Sequence, residues 1–265
     1  MLNTKNMNRD LLNKPYILNH TNWGTVKQEK YDIAVLPWGA TEPHNLHLPY
    51  GTDTLQSTDI SIGAAEIAWA KGAKAMVLPA IPLGVQNPGQ IELPFCLNTR
   101  PSTQKIILED ILVSLQRQNI HKLLIVNSHG GNDFKTLIRE LQPQFPDFFI
   151  GVIDWFKIKG CQTFFDEPGD HAGEMETSLM QFLYPDMTKL KDAGEGKSTG
   201  FRLKSMKAGF IWTPRNWSKV STDTGIGNPQ MSTPEKGKLC YEFITQLIAD
   251  ALVELSKVNP SDIYE

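Results

Sequence analysis

Few features of this chain speak for redox chemistry, nucleic acid or membrane. The 265 residues hold three cysteines, Cys96, Cys161 and Cys240, far apart and without a CxxC pair. That argues against a disulfide framework and a thiolate zinc site, and makes a reducing compartment the default. No block of like charge is present: the formal net charge is -3 and the basic residues are spread out, so there is no electrostatic footprint for nucleic acid or an anionic membrane. The apolar runs are too short to span a bilayer, and the opening MLNTKNMNRDLLNKPY lacks the apolar core of a signal peptide. No repeat or low-complexity tract occurs. The expectation is a cytoplasmic protein whose partner is a small molecule.

What the chain does have is enough apolar material, 40% of residues, for one large domain over 1–265. IAVLPW from Ile33, KAMVLPAIPL from Lys74, KLLIVN from Lys122 and FFIGVIDW from Phe148 are continuously apolar, as strands covered on both faces must be. Helical spacing fills the gaps. From Ser102, a residue able to cap a first turn, Ile107, Leu108, Ile111, Leu112 and Leu115 share one face. From Pro234 the same spacing aligns Phe243, Ile244, Leu247, Ile248, Ala251 and Leu252. Strand then helix, repeated, predicts a layered α/β sandwich with right-handed crossovers. GVQNPGQIELPF and the run from Asp192 to Thr233 fit no regular element, and loops of that length form pocket walls, lids or interfaces.

Three polar clusters carry the candidate chemistry. GATEPHNLHLPYGTD follows the first strand, NSHGGND follows KLLIVN, and DHAGEMETS comes after FFIGVIDW. In a parallel sheet the carboxyl ends of the strands share one edge, where ligands bind, so the clusters are expected to converge. Glu42 and His44 are two apart and point the same way in an extended segment; Asp53 can return to the same cavity and bridge two ions, and His129 adds a neutral nitrogen. Carboxylates and imidazoles without sulfur suit zinc, manganese or iron. Two divalent ions there would bring the pKa of a bridging water to roughly 7, from about 15.7 in bulk, which makes hydrolysis the natural use. In HAGEMETS, His171 could shuttle a proton to a leaving nitrogen while Glu176 or Glu174 fixes its tautomer; if the run is helical, Glu174 shares the face of His171, but spacing does not choose between them.

Each group has a plainer reading. Taken alone, Glu42 or His44 is more often a hydrogen-bonded turn residue than a ligand, and HGGN is as readily a glycine turn with Asn132 capping the next helix, or a phosphate cradle at its start. His47 reads as a turn residue or a neighbour of the ligands, and His20 and His121 as structural. Two rival functions follow: a non-catalytic metal or ligand binder of the same fold, and a phosphate module built on GGND, which leaves Glu42, His44 and Asp53 without a purpose.

As a set, the clusters resemble the creatininase family (creatinine amidohydrolases). GATEPHNLHLPYGTD is similar to its signature GxxExHGxHLPxxxD, NSHGGN to its second motif, DHAGEMETS to its third, and TGIGNPQMSTPEKG to a weaker C-terminal one, in order from about Tyr31 to Lys238. The resemblance implies a three-layer α/β/α sandwich with a mostly parallel sheet and a binuclear centre of two divalent ions. Glu42 and His129 would bind one ion, His44 the other, and Asp53 both; His171 would transfer protons, with Glu176 in the position of the ETS glutamate. It further implies hydrolysis of a C-N bond in a small cyclic amide or formamide by metal-activated water, and a homo-oligomer, commonly a homohexamer. Creatininase proper has a metal-ligating glutamate where this chain has Gly131, leaving Glu174 or water to complete the second site. It also has loop tryptophans where this chain reads FFDEPGDHAGE. Lys204, Lys207, Arg215, Trp212 and Trp217 of the long loop are candidates for contact with an anionic or planar substrate, or for a subunit interface.

Overall fold

Four of the apolar runs become parallel strands: β1 (Ile33–Trp38), β2 (Ala75–Val77), β3 (Lys122–Asn127) and β4 (Phe149–Asp154), in the order β2-β1-β3-β4. The computed structural model describes residues 14–265, so most of the opening segment read for a signal sequence lies outside the described residues. Strand β2 is shorter than KAMVLPAIPL suggests. Pro79 and Pro82 have no N–H to give to a ladder, so pairing stops after Val77, and Ile81 returns only as an isolated bridge to Trp38.

The two faces of the sheet bury separate cores because successive side chains alternate. Ile33, Val35, Leu124 and Val126 pack with α2 (Thr52–Ala70) and α8 (Pro234–Lys257), against which α5 (Glu174–Leu183) also lies. Ala34, Leu36, Trp38, Leu123 and Ile125 pack with α3 (Pro101–Arg117) and α4 (Phe134–Leu141). The result is the three-layer α/β/α sandwich, and α1 (Trp23–Val26) precedes the first strand.

Helix ends depart from expectation in instructive ways. Helix α3 starts one residue before Ser102, with Pro101 at its first position and Arg100 as an N-cap that makes no side-chain bond; Pro at that position loses no hydrogen bond. Leu108, Leu112 and Leu115 are buried and Ile107 and Ile111 half-buried. In α8 the Thr233 side chain caps Lys236 N–H, Ile244, Ile248 and Leu252 are buried, and Leu247 is exposed. Asn132 does not cap α4; Asp133 holds that position.

The run from Asp192 to Thr233 is less irregular than its composition suggests. It contains α6 (Lys204–Lys207), α7 (Trp217–Val220) and β6 (Ile226–Gly227), which pairs antiparallel with β5 (Gly169–His171). Among the described residues, no helix is long and apolar enough to cross a membrane.

Candidate metal centre

The polar clusters meet at the carboxyl edge of the sheet, and the backbone explains why. Strand β1 ends at Trp38 and the chain leaves it through Gly39, where a Cβ would lie 2.4 Å from Thr54 N, so only glycine lets the strand exit run against the start of α2. The following loop turns at Asn45, whose φ of 53° is one that glycine or asparagine tolerates. Asp53 then falls in the first turn of α2, where the helix dipole favours a carboxylate. From β3, Asn127 accepts the His129 N–H at 3.1 Å and donates to Asp154 Oδ1 at 2.8 Å, fixing the turn that presents His129.

The resulting cluster is buried and dense. His129 Nδ1 lies 2.8 Å from Glu42 Oε1 and 3.1 Å from Asp53 Oδ2. His44 Nε2 lies 3.0 Å from Asp53 Oδ1, so the two oxygens of one carboxylate face imidazoles from two different loops. Three sets have donor atoms close enough to share one ion: Glu42, Asp53 and His129; His44, Asp53 and Glu176; and Glu42, His44 and His171. All of the sequence-predicted residues except Glu174 are brought together. The Glu174 carboxylate accepts the Asp166 and Glu167 backbone N–H groups and pairs with Lys236, tying α5 to α8.

Does this donor set fit metal ions? Each ring has committed its other nitrogen: His129 Nε2–H donates to Val85 O at 2.8 Å and His44 Nδ1–H to Glu42 O at 3.0 Å. The nitrogens that remain are lone pairs aimed at carboxylate oxygens, which requires positive charge between them. Oriented imidazoles of this kind are what metal ligands need. The electrostatics agree. Burial alone would lower the His44 pKa, yet Asp53, followed by Glu176 and Glu42, pushes it up to about 10. His129 is also pushed up against burial, by Glu42 first and then Asp53. Burial opposes ionisation of Asp53, but the two imidazoles hold it well below the usual carboxylate range. Glu176 moves up, chiefly through burial, with His44 and His171 offsetting part.

His171 closes the cluster. Its ring centre lies 4.2 Å from that of His44, the two planes tilted by 37°, and it meets Trp217 edge-on at 5.4 Å. Its Nε2–H donates to Pro43 O at 2.8 Å, so a backbone carbonyl, rather than either glutamate, fixes the tautomer and leaves Nδ1 free. Because His171 ends β5 and α5 begins only at Glu174, the helical spacing of the two does not apply. Glu176 instead accepts the Ala172 N–H and reaches the cluster.

Sequence reasoning missed three supports. Gln90, from the loop after β2, donates to Glu42 Oε2. Val85 O orients His129, and Asn132 accepts from Val85 N–H and Gln104 while donating to Asn127. Gly131 is also explained: a Cβ there would lie 2.0 Å from Val85 O and 2.6 Å from His129 Nε2. The cluster opens into a cavity of about 260 Å³ lined by Phe156, Lys157, Gln162, Glu167, Asp170 and Met175. A wider cleft of about 700 Å³ continues past Gln86, Trp212 and Trp217. Arg215 pairs with Asp170 at 2.6 Å and lies over Trp217, whereas Trp212 is largely exposed.

A parallel α/β sandwich with a buried carboxylate and imidazole cluster at the carboxyl edge of its sheet defines a metal-binding α/β protein. The chain belongs to the creatininase family, described as creatinine amidohydrolase, which matches residues 19–252. It is 26% identical over 242 residues to a creatinine amidohydrolase of Pseudomonas putida, covering 84% of this chain and 89% of that one. It is 24% identical over 241 residues to a mycofactocin precursor peptide peptidase of Mycobacterium ulcerans, covering 85% of each. Among solved structures, a protein of Bacteroides fragilis NCTC 9343 provisionally called a creatinine amidohydrolase superposes with a TM-score of 0.91 at 46% identity, over 96% of this chain and 100% of that one. A creatininase described as its Mn form has the same fold, with a TM-score of 0.75 at 23% identity, over 92% of this chain and 99% of that one.

Proposed function

We propose that this protein is a metal-dependent amidohydrolase that cleaves a C-N bond in a small cyclic amide or formamide. The observation that carries the reading is Asp53, whose two oxygens face His44 and His129 from opposite sides at 3.0 and 3.1 Å. Glu42, Asp53 and His129 would hold one divalent ion, and His44, Asp53 and Glu176 a second, zinc and manganese being the metals suggested by the relatives described as Mn and Zn-Zn forms. Bound there, such ions polarise a carbonyl and bring the pKa of water toward roughly 7.

The chain's own residues supply the rest. Gln90 and Val85 hold Glu42 and His129 in one orientation, so little reorganisation is needed as charge develops. With Nε2–H committed to Pro43 O, His171 offers Nδ1 at the cavity wall to carry a proton to the departing nitrogen. Phe156 and Met175 make part of the wall apolar and limit water. The loop before His171, with Glu167 and Asp170 in place of tryptophans, argues for a substrate other than creatinine. The exposed Phe95, Phe210 and Trp212 support reading the protein as a homo-oligomer.

The test is a panel of cyclic amides and N-formyl compounds with metal-replete protein, before and after chelation. Turnover of at least one member, lost on chelation and restored by manganese or zinc, is expected. Turnover that survives full metal removal would overturn the reading.

A further inference from the structure

Gln86 is 6% exposed, and among the described residues neither its Nε2 nor its Oε1 has a hydrogen-bond partner. Two other buried glutamines with an unpartnered oxygen are different: Gln56 donates its Nε2 to Glu176 O, and Gln104 to Asn132 Oδ1 and Leu83 O. Leaving both ends of a buried amide unused is unfavourable, and such groups are retained where something else completes them.

The backbone around Gln86 is fixed. Its N–H donates to Asn98 Oδ1 at 2.9 Å, and the preceding residue, Val85, receives the His129 Nε2–H and gives its own N–H to Asn132. The amide is therefore held one residue from the carbonyl that orients a proposed metal ligand. It lines the same cleft as Glu42, His129, Trp212 and Trp217.

Building on the amidohydrolase reading, we infer that Gln86 is a specificity-determining residue that pairs with the N–H and C=O edge of a ring amide, imide or ureide. Each end of the Gln86 amide needs a partner of the opposite kind. A carboxylate or phosphate offers acceptors alone and would leave Oε1 facing another acceptor. An ammonium offers donors alone and leaves Nε2 unused. A ring amide holds N–H and C=O on one edge and satisfies both ends of Gln86 at once, whereas the trans form of an open-chain amide places them on opposite edges. The exposed Trp212 ring in the same cleft offers its face to a flat ring. Within the proposed substrate class this selects cyclic amides over open-chain formamides.

The experiment is calorimetric binding of hydantoin and 1,3-dimethylhydantoin to metal-replete protein, wild type beside Gln86→Met and Gln86→Leu. Dimethylation removes both N–H donors and keeps the ring. Wild type is expected to bind hydantoin at least about tenfold more tightly than its dimethyl form. Gln86→Met, with metal content and unfolding midpoint at wild-type values, is expected to bind the two alike. Gln86→Leu, which likewise offers neither a donor nor an acceptor, should also lose the preference and serves if the methionine variant does not fold. No preference in wild type, or a preference that survives both substitutions, overturns the assignment. If wild type hydrolyses no amide at all, the functional reading fails while this comparison still decides the role of Gln86.

Discussion

His129 turns Nδ1 toward Asp53 Oδ2 at 3.1 Å while giving Nε2–H to Val85 O at 2.8 Å. One ring thereby ties the loop after β2 to the first turn of α2, and the direction of its lone pair is set before any ligand arrives.

Gln90 holds the outer oxygen of Glu42. Gln90→Leu should keep the fold and lower metal affinity by about 10–100-fold, as loss of a partner behind a ligand does. Competition against a calibrated chelator reads this directly, and wild-type affinity in the variant would remove Gln90 from the account.

Restoring the creatininase glutamate should fail here. At Gly131 a side chain meets Val85 O at 2.0 Å, so Gly131→Glu is expected to cost about 1–3 kcal/mol or more through overpacking, and to lower metal content rather than raise it. Thermal unfolding with elemental analysis of the same sample is the check. A variant that gains metal would show that the Val85 segment yields.

Glu174 and Glu176, two residues apart, should separate cleanly. Glu174→Gln neutralises the buried one of the two carboxylates that pair with Lys236 and is expected to lower the unfolding midpoint with metal content unchanged. Glu176→Gln is expected to lose about one ion per chain with a smaller change in stability. The opposite pattern would exchange their roles.

His47 gives a pH signature. Burial above all lowers its pKa from 6.5 to about 4. Between those two values the unfolded chain binds a proton that the folded chain refuses, so stability should fall as pH drops from 6.5 toward 4 and this contribution should level off below. His47→Gln, able to keep a bond to Thr177 Oγ1, should flatten that limb in denaturant titrations across the window. An unchanged limb would show that His47 does not titrate as described.

Much of this was legible in the sequence. Continuous apolarity marked four strands because both faces of the sheet are covered, and the residues that face each other at its edge lie in polar clusters beyond the apolar runs. Strand β2 was overread because its prolines are apolar by composition yet cannot pair. Glu174 and Glu176 could not be separated by spacing, since the break between β5 and α5 falls inside the motif. The carbonyls of Val85 and Pro43, which set the tautomers of His129 and His171, leave no trace in residue identity. Gln90 lay in a loop flagged as a pocket wall, with nothing to distinguish it from Gln86.

The most direct measurement is elemental analysis of tag-free, metal-replete protein beside Asp53→Ala. Because Asp53 faces both imidazoles, the account predicts about two divalent ions per wild-type chain and loss of both in the variant. Wild-type protein that holds no metal after such purification, or Asp53→Ala protein that keeps both ions, would contradict it.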